Sequence, residues 1–148
     1  MMLRMGCLAA GLVLSIASTP AEAGSVLITP EEASLPPPKG AVAVTSRGIT
    51  RGPRIEYLGG SNAAHSPIRL QLKFESFGGA KIDPNSVKVT YMKNPAVDLT
   101  PRLKPFLQPT GIDMADAVLP AGDHMLRVDL KDSDGRSAST SFTVKIAP

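Results

Sequence analysis

The strongest constraint in this sequence is an alternation of period two that recurs from residue 68 onward. Ile68, Leu70, Leu72 and Phe74 alternate with Arg69, Gln71, Lys73 and Glu75. Such a run puts apolar side chains on one face and polar ones on the other, the pattern of a half-buried β-strand. The period returns in Val87, Val89 and Tyr91 against Lys88, Thr90 and Met92. It returns again in Leu126, Val128 and Leu130 against Arg127, Asp129 and Lys131, and in Phe142, Val144 and Ile146 against Ser141, Thr143 and Lys145. An opening strand over residues 53–58 carries Ile55 and Tyr57 on one side, and a weaker strand over 112–119 has an inward face that Ala115 and Ala117 leave undefined. Gly78-Gly79, Asp83-Pro84-Asn85, Pro120-Ala121-Gly122 and Asp134-Gly135 supply the turns. About seven short strands separated by turns predict an all-β, antiparallel β-sandwich.

One helical interruption is expected near residues 99–107. Thr100 before Pro101 reads as an N-cap followed by proline at the first helical position, and Pro105 and Pro109 limit the segment to a turn or two. Leu103, Phe106 and Leu107 would anchor it as a bridge between the sheets, plugging one end of the sandwich.

Upstream, three parts of a secretory signal follow in order: Arg4, the apolar run from Leu8 to Ile16, and Ala21-Glu22-Ala23. The run is shorter than the roughly 20 residues a membrane helix needs. Residues 1–23 are therefore expected to be a signal peptide, which places the mature chain in the periplasm or outside the cell with no membrane span. Cys7 precedes the apolar run, where a lipobox cysteine would follow it. Cys7 is the single cysteine, so the mature domain has neither disulfide nor thiolate chemistry. Residues 24–52 are punctuated by Pro30, Pro36-Pro37-Pro38, Gly40, Gly48 and Gly52, and read as a linker with one candidate edge strand at 41–45. The domain proper is expected over 53–148. The formal net charge of +3 is spread along the chain without tryptophan to stack bases, which argues against a nucleic-acid partner.

Three stretches resemble the bacterial immunoglobulin-like and fibronectin-III-like modules of exported proteins: Ile82-Asp-Pro-Asn-Ser-Val-Lys-Val89, Leu119-Pro-Ala-Gly-Asp-His124 running on to Asp134-Gly135-Arg136, and Ser141-Phe-Thr-Val-Lys-Ile146. The resemblance spans roughly residues 53–147 and implies a fold, with little said about activity. It also implies that His124, in register with Leu126, Val128 and Leu130, packs inward at a corner and bonds nearby backbone. The cysteine pair and buried tryptophan of antibody domains are absent.

The sharpest chemical ambiguity is Asp129-Leu-Lys-Asp132-Ser-Asp134-Gly135. Asp132, Asp134 and Gly135 match the start of a calcium loop, but no carboxylate follows to close the coordination sphere, and Arg136 stands where a cation would sit. Asp-Gly between two alternating strands is instead a hairpin signal. A soft-metal reading would recruit Met92, Met114, His124 and Met125. Sugar binding by stacking is poorly served by two Tyr and four Phe, several of them on inward positions. His65 and His124 form no zinc motif, Asp113 and Asp116 form no recognisable acid–base pair, and nucleotide or serine-hydrolase signatures are missing. The sequence therefore points to a non-enzymatic exported module without cofactor that binds another exported or envelope protein through a sheet edge or face. Metal or carbohydrate binding is the alternative. The expected surface residues are Met125, Arg127 and Asp129 on one face and Lys88, Thr90 and Met92 on another.

Overall fold

The computed structural model describes residues 24–40, 52–60 and 62–148. The expected signal peptide with Cys7 and the candidate strand at 41–45 lie outside the described residues. Nine strands are present among the described residues: β1 (Ser25–Val26), β2 (Arg54–Tyr57), β3 (Ile68–Glu75), β4 (Lys88–Tyr91), β5 (Val97–Asp98), β6 (Leu107–Gln108), β7 (Gly111–Val118), β8 (Gly122–Lys131) and β9 (Ser137–Ile146). One sheet has the order β1-β7-β3-β2 with β6 also on β7, and the other has the order β5-β4-β8-β9. All pairings are antiparallel except β1 with β7. This is the all-β sandwich the alternation predicts. The strands beyond the expected count are the two-residue β1, β5 and β6, too short to leave a periodic signature.

The inward set of each long strand meets between the sheets. Leu70, Leu72 and Phe74 of β3 and Ile112, Met114 and Ala117 of β7 face Val89 and Tyr91 of β4, Leu126, Val128 and Leu130 of β8, and Val144 and Ile146 of β9. Burying each large side chain contributes about 1.5–3 kcal/mol. The inward face of β7 resisted reading because the strand carries a bulge: Leu70 pairs with Met114 but Ile68 pairs with Ala117, which leaves Ala115 and Asp116 both exposed. The short helix α2 (Thr100–Leu103) and the 3₁₀ turn Lys104–Phe106 carry the chain from β5 in one sheet to β6 in the other. Leu103 is buried, while Phe106 and Leu107 are half-buried against the core. Thr100 is not the cap. Its amide is bonded by Asp98 Oδ1 at 2.9 Å, and its Oγ1 accepts from the amide of Val89 at 2.9 Å, tying the helix to β4.

The expectation that residues 24–52 form a spacer is corrected for its first part. Leu27 and Ile28 are 0% and 1% exposed and belong to the core, and β1 pairs with β7 at Ser25↔Ala117 and Val26↔Val118. The single-turn helix α1 (Pro30–Ala33) then starts at a capping box in which Glu32 N donates to Thr29 Oγ1 (3.2 Å) and Thr29 N donates to Glu32 Oε2 (3.0 Å). Arg102 of α2 clamps this turn, donating to both Glu32 carboxylate oxygens at 2.7 Å and to the carbonyl of Leu27 at 2.8 Å. Further on, Lys93 Nζ donates to the Ala33 carbonyl (3.0 Å) and the amide of Asn94 to the Pro36 carbonyl (3.0 Å). Residues 24–38 are thus a strap joining the edge of one sheet to the end of the other. Pro37 and Pro38 lie beside Met92 and Lys93, just past β4, and beside Asp123 and Met125 of β8 and Thr143 of β9.

The Arg102 hydrogen bonds hold the Glu32 carboxyl below its ordinary value. A depressed folded value stabilises the fold fully above the unfolded range near 4.3, and that contribution is lost as pH falls through the folded value. Glu32→Gln is therefore expected to cost about 1 kcal/mol at pH 7. Denaturant melts of both proteins should converge as pH drops below the ordinary glutamate range; a gap independent of pH would contradict the ion pair.

Candidate functional site

The turn between β8 and β9 is a hairpin closed around a buried carboxylate. The Asp132 side chain is fully buried, and its oxygens are taken up by donors from the turn itself. Oδ1 accepts from the amides of Asp134 (3.0 Å) and Arg136 (2.9 Å), and Oδ2 accepts from Arg136 Nε (3.0 Å). Arg136 also donates through Nη2 to Asp134 Oδ2 (2.7 Å) and to the Phe77 carbonyl (3.1 Å). The left-handed backbone the turn requires falls on Gly135, with φ of 77°. Asp132 and Asp134 therefore face a guanidinium rather than a shared cation position, and Asp129, three residues earlier, pairs with Arg127 on the outer sheet face.

His124 sits at the other end of β8 and is 2% exposed. Its Nε2 lies 2.7 Å from the Pro120 carbonyl, which can only accept, so Nε2 carries the proton. Nδ1 then accepts from the hydroxyl of Tyr91 at 3.0 Å, a group whose titration burial pushes above the ordinary tyrosine value. This is the corner role the resemblance implies. It also separates the residues that a soft metal would need: both His124 nitrogens are engaged, Met114 is in the core on the opposite sheet, and Met125 points to solvent.

The six surface residues, expected as two separate faces, come together on one. The β4–β8 register places Lys88 opposite Asp129 and Thr90 opposite Arg127, and the ladder continues with Met92 N donating to the Met125 carbonyl at 2.9 Å. Arg127 and Asp129 pair with each other at 3.1 Å, so the middle of the face is charge-compensated. At one end Met92 and Met125 line a groove of about 370 Å³ with Pro37, Pro38, Lys93, Asp123 and Thr143. Pro37 and Pro38 are its unexpected wall, supplied by the strap. On the opposite sheet Asp113 is held by Arg69 in a two-point ion pair at 3.0 and 2.7 Å, which keeps its carboxyl below the usual range and removes it from any pairing with Asp116.

The feature that strand-by-strand reading missed is the outer edge of β9. β9 pairs with β8 through ten successive residue pairs, from Gly122↔Ile146 to Lys131↔Ser137. On its other side, Ala64 N donates to the Lys145 carbonyl (3.1 Å), and Ala147 N donates to the Ala64 carbonyl (2.8 Å). Lys145 and Ala147 thus aim their backbone groups away from β8. Since direction alternates along a strand, Ser137, Ser139, Ser141 and Thr143 do the same. No described strand pairs with these four. The side chains that β9 turns inward at this edge are half-buried: Ala138 and Phe142, with Phe142 stacked on Tyr57 of β2 at 4.4 Å and 16°. Ile55 of β2 is half-buried beside them in the same apolar fringe of the core. The only sequence signal for this edge is the run Ser137-Ala-Ser-Thr-Ser141, polar on both faces and so invisible to a test for alternation. No family model matches the chain, and no curated protein or solved structure matches it either.

Asp132→Ala leaves the Asp134 and Arg136 amides without their acceptor and is expected to cost about 3 kcal/mol in chemical denaturation. Asp132→Asn retains one acceptor oxygen and should lose about half as much. An alanine variant as stable as the parent would show that the buried carboxylate does not set the turn.

Proposed function

We propose that this chain is an exported, non-enzymatic immunoglobulin-like module that binds another envelope or secreted protein by accepting an extended segment of it along β9. The observation that carries this reading is the outer edge of Ser137, Ser139, Ser141 and Thr143, which no strand among the described residues pairs, beside a half-buried apolar seam. Natural sheets blunt long edges with prolines, bulges or charges, because an unpaired edge is a template for another strand. β9 has none of these between Ser137 and Val144, and its pairing with β8 is unbroken. The other sheet ends are less suited: β5 has two residues and β2 has four. An added strand would hydrogen-bond the four free positions and lay alternate side chains over Phe142, Tyr57 and Ile55, the standard division between backbone affinity and side-chain selectivity. The leader-like pattern of residues 1–23 supports the envelope setting, and the compensated charges of the outer face fit a protein partner better than a polyanion.

Proline at an outward position removes an edge donor and spares the β8 ladder, whereas proline at an inward-bonded position breaks that ladder. A photo-crosslinking residue at Ser139, installed in the producing cell, is expected to give a discrete adduct that Ser141→Pro abolishes while the melting temperature moves by only a few degrees. Thr140→Pro should instead unfold the domain at lower temperature. An adduct unaffected by Ser141→Pro would overturn edge pairing.

A further inference from the structure

We infer that the junction between leader and domain is a cleavage site with a deadline: once β1 docks on β7 the Ala23–Gly24 bond is shielded, so the leader is removed before the domain folds. This inference rests on reading residues 1–23 as a leader. Hydrolysis of that bond adds one water and leaves a carboxylate on Ala23 and an amino group on Gly24, protonated at neutral pH. The leaving amine belongs to Gly24, so the surroundings of Gly24 decide whether a protease can reach it.

Gly24 is half-buried against β7. A Cβ built on it would come within 2.7 Å of Val118 Cγ2 and 3.1 Å of the Asp116 carbonyl oxygen, so even a methyl group there would have to move Val118. Pairing with β7 begins at the next residue, Ser25↔Ala117, and continues through Val26↔Val118 to the Leu27 amide, which donates to the Val118 carbonyl at 3.0 Å. Leu27 and Ile28 follow in the core, and Arg102 holds both the Leu27 carbonyl and the Glu32 carboxylate. Proteolysis needs exposed backbone free of sheet bonds, because a protease takes the chain as an extended strand running through the bond it cuts. Here the chain beyond that bond is already committed to β7. Attack is open only while β1 is peeled from the sheet, and a folded chain is then cut at the intrinsic rate multiplied by the fraction peeled. A chain whose domain folds first keeps its apolar leader; a chain cut first docks a free N-terminus. One glycine serves both steps, small enough for the protease while the chain is unfolded and small enough for β7 afterwards.

The test follows the full chain in detergent micelles with purified bacterial signal peptidase, and reads the new N-terminus by mass spectrometry. Three forms are compared, with circular dichroism reporting the state of each: the folded chain, the chain kept unfolded by Leu126→Asp in the core, and a folded chain carrying a flexible Gly-Ser spacer of about six residues between Ala23 and Gly24. The folded chain should be cut after Ala23 roughly tenfold more slowly than the unfolded one, or slower still, and the spacer should restore the unfolded rate. Equal rates for the folded and unfolded chains, or a spacer chain cut as slowly as the folded parent, would overturn the shielding and leave the leader reading standing. Failure of all three to be cut after Ala23 would overturn the leader reading and the inference with it.

Discussion

The register of the β8–β9 hairpin is the constraint on which the rest of this molecule depends. Asp132 closes the turn from inside, with two backbone amides on one oxygen and a guanidinium on the other, and so fixes which residue of β9 lies opposite which residue of β8. A slip of one residue would carry Val144 and Ile146 from the core to solvent and bring Thr143 and Lys145 inward. The same registration decides which backbone groups of β9 serve the hairpin and which are offered outward. One buried carboxylate thereby links a local turn to the core and to the proposed binding edge.

The ends and sides of the sandwich are treated differently. One end is closed by α2, tied to β4 through Thr100 and to the strap through Arg102. Another corner is closed by the chain Pro120, His124 and Tyr91, whose hydrogen bonds leave the imidazole with its proton on Nε2. β7 is flanked by β1 and β6 as well as by β3. Along β9 no comparable cover exists among the described residues except at Ala64, and there the apolar residues of both sheets are only half-buried. That contrast, within one structure, is what separates the β9 edge from an ordinary strand boundary.

The long strands were legible because burial of one face imposes a period that no other constraint overrides. β3, β4 and the second half of β8 follow it residue by residue. The start of β9 did not, because Ser137 and Ser139 are exposed while Ala138, Thr140 and Ser141 are all half-buried, so the contrast that reveals a strand is absent. β7 was blurred by its bulge. The strap was hidden by prolines that do break regular structure yet permit an extended path pinned by side chains, and its Thr29 to Glu32 capping box was the one local sign of order. Of the candidate surface, the six residues Lys88, Thr90, Met92, Met125, Arg127 and Asp129 were nameable from alternation alone. That they share one face follows from strand order, which alternation does not encode, and the proline wall of the groove follows from the strap.

Residue-resolved amide exchange on the chain from residue 24 onward tests the central claim most directly. The account predicts an alternation within β9: the amides of Ala138, Thr140, Phe142 and Val144 are protected by β8, while those of Ser139, Ser141 and Thr143 exchange close to the unstructured rate. Equal and strong protection of both sets would mean that the outer edge is already paired, and would contradict an open β9.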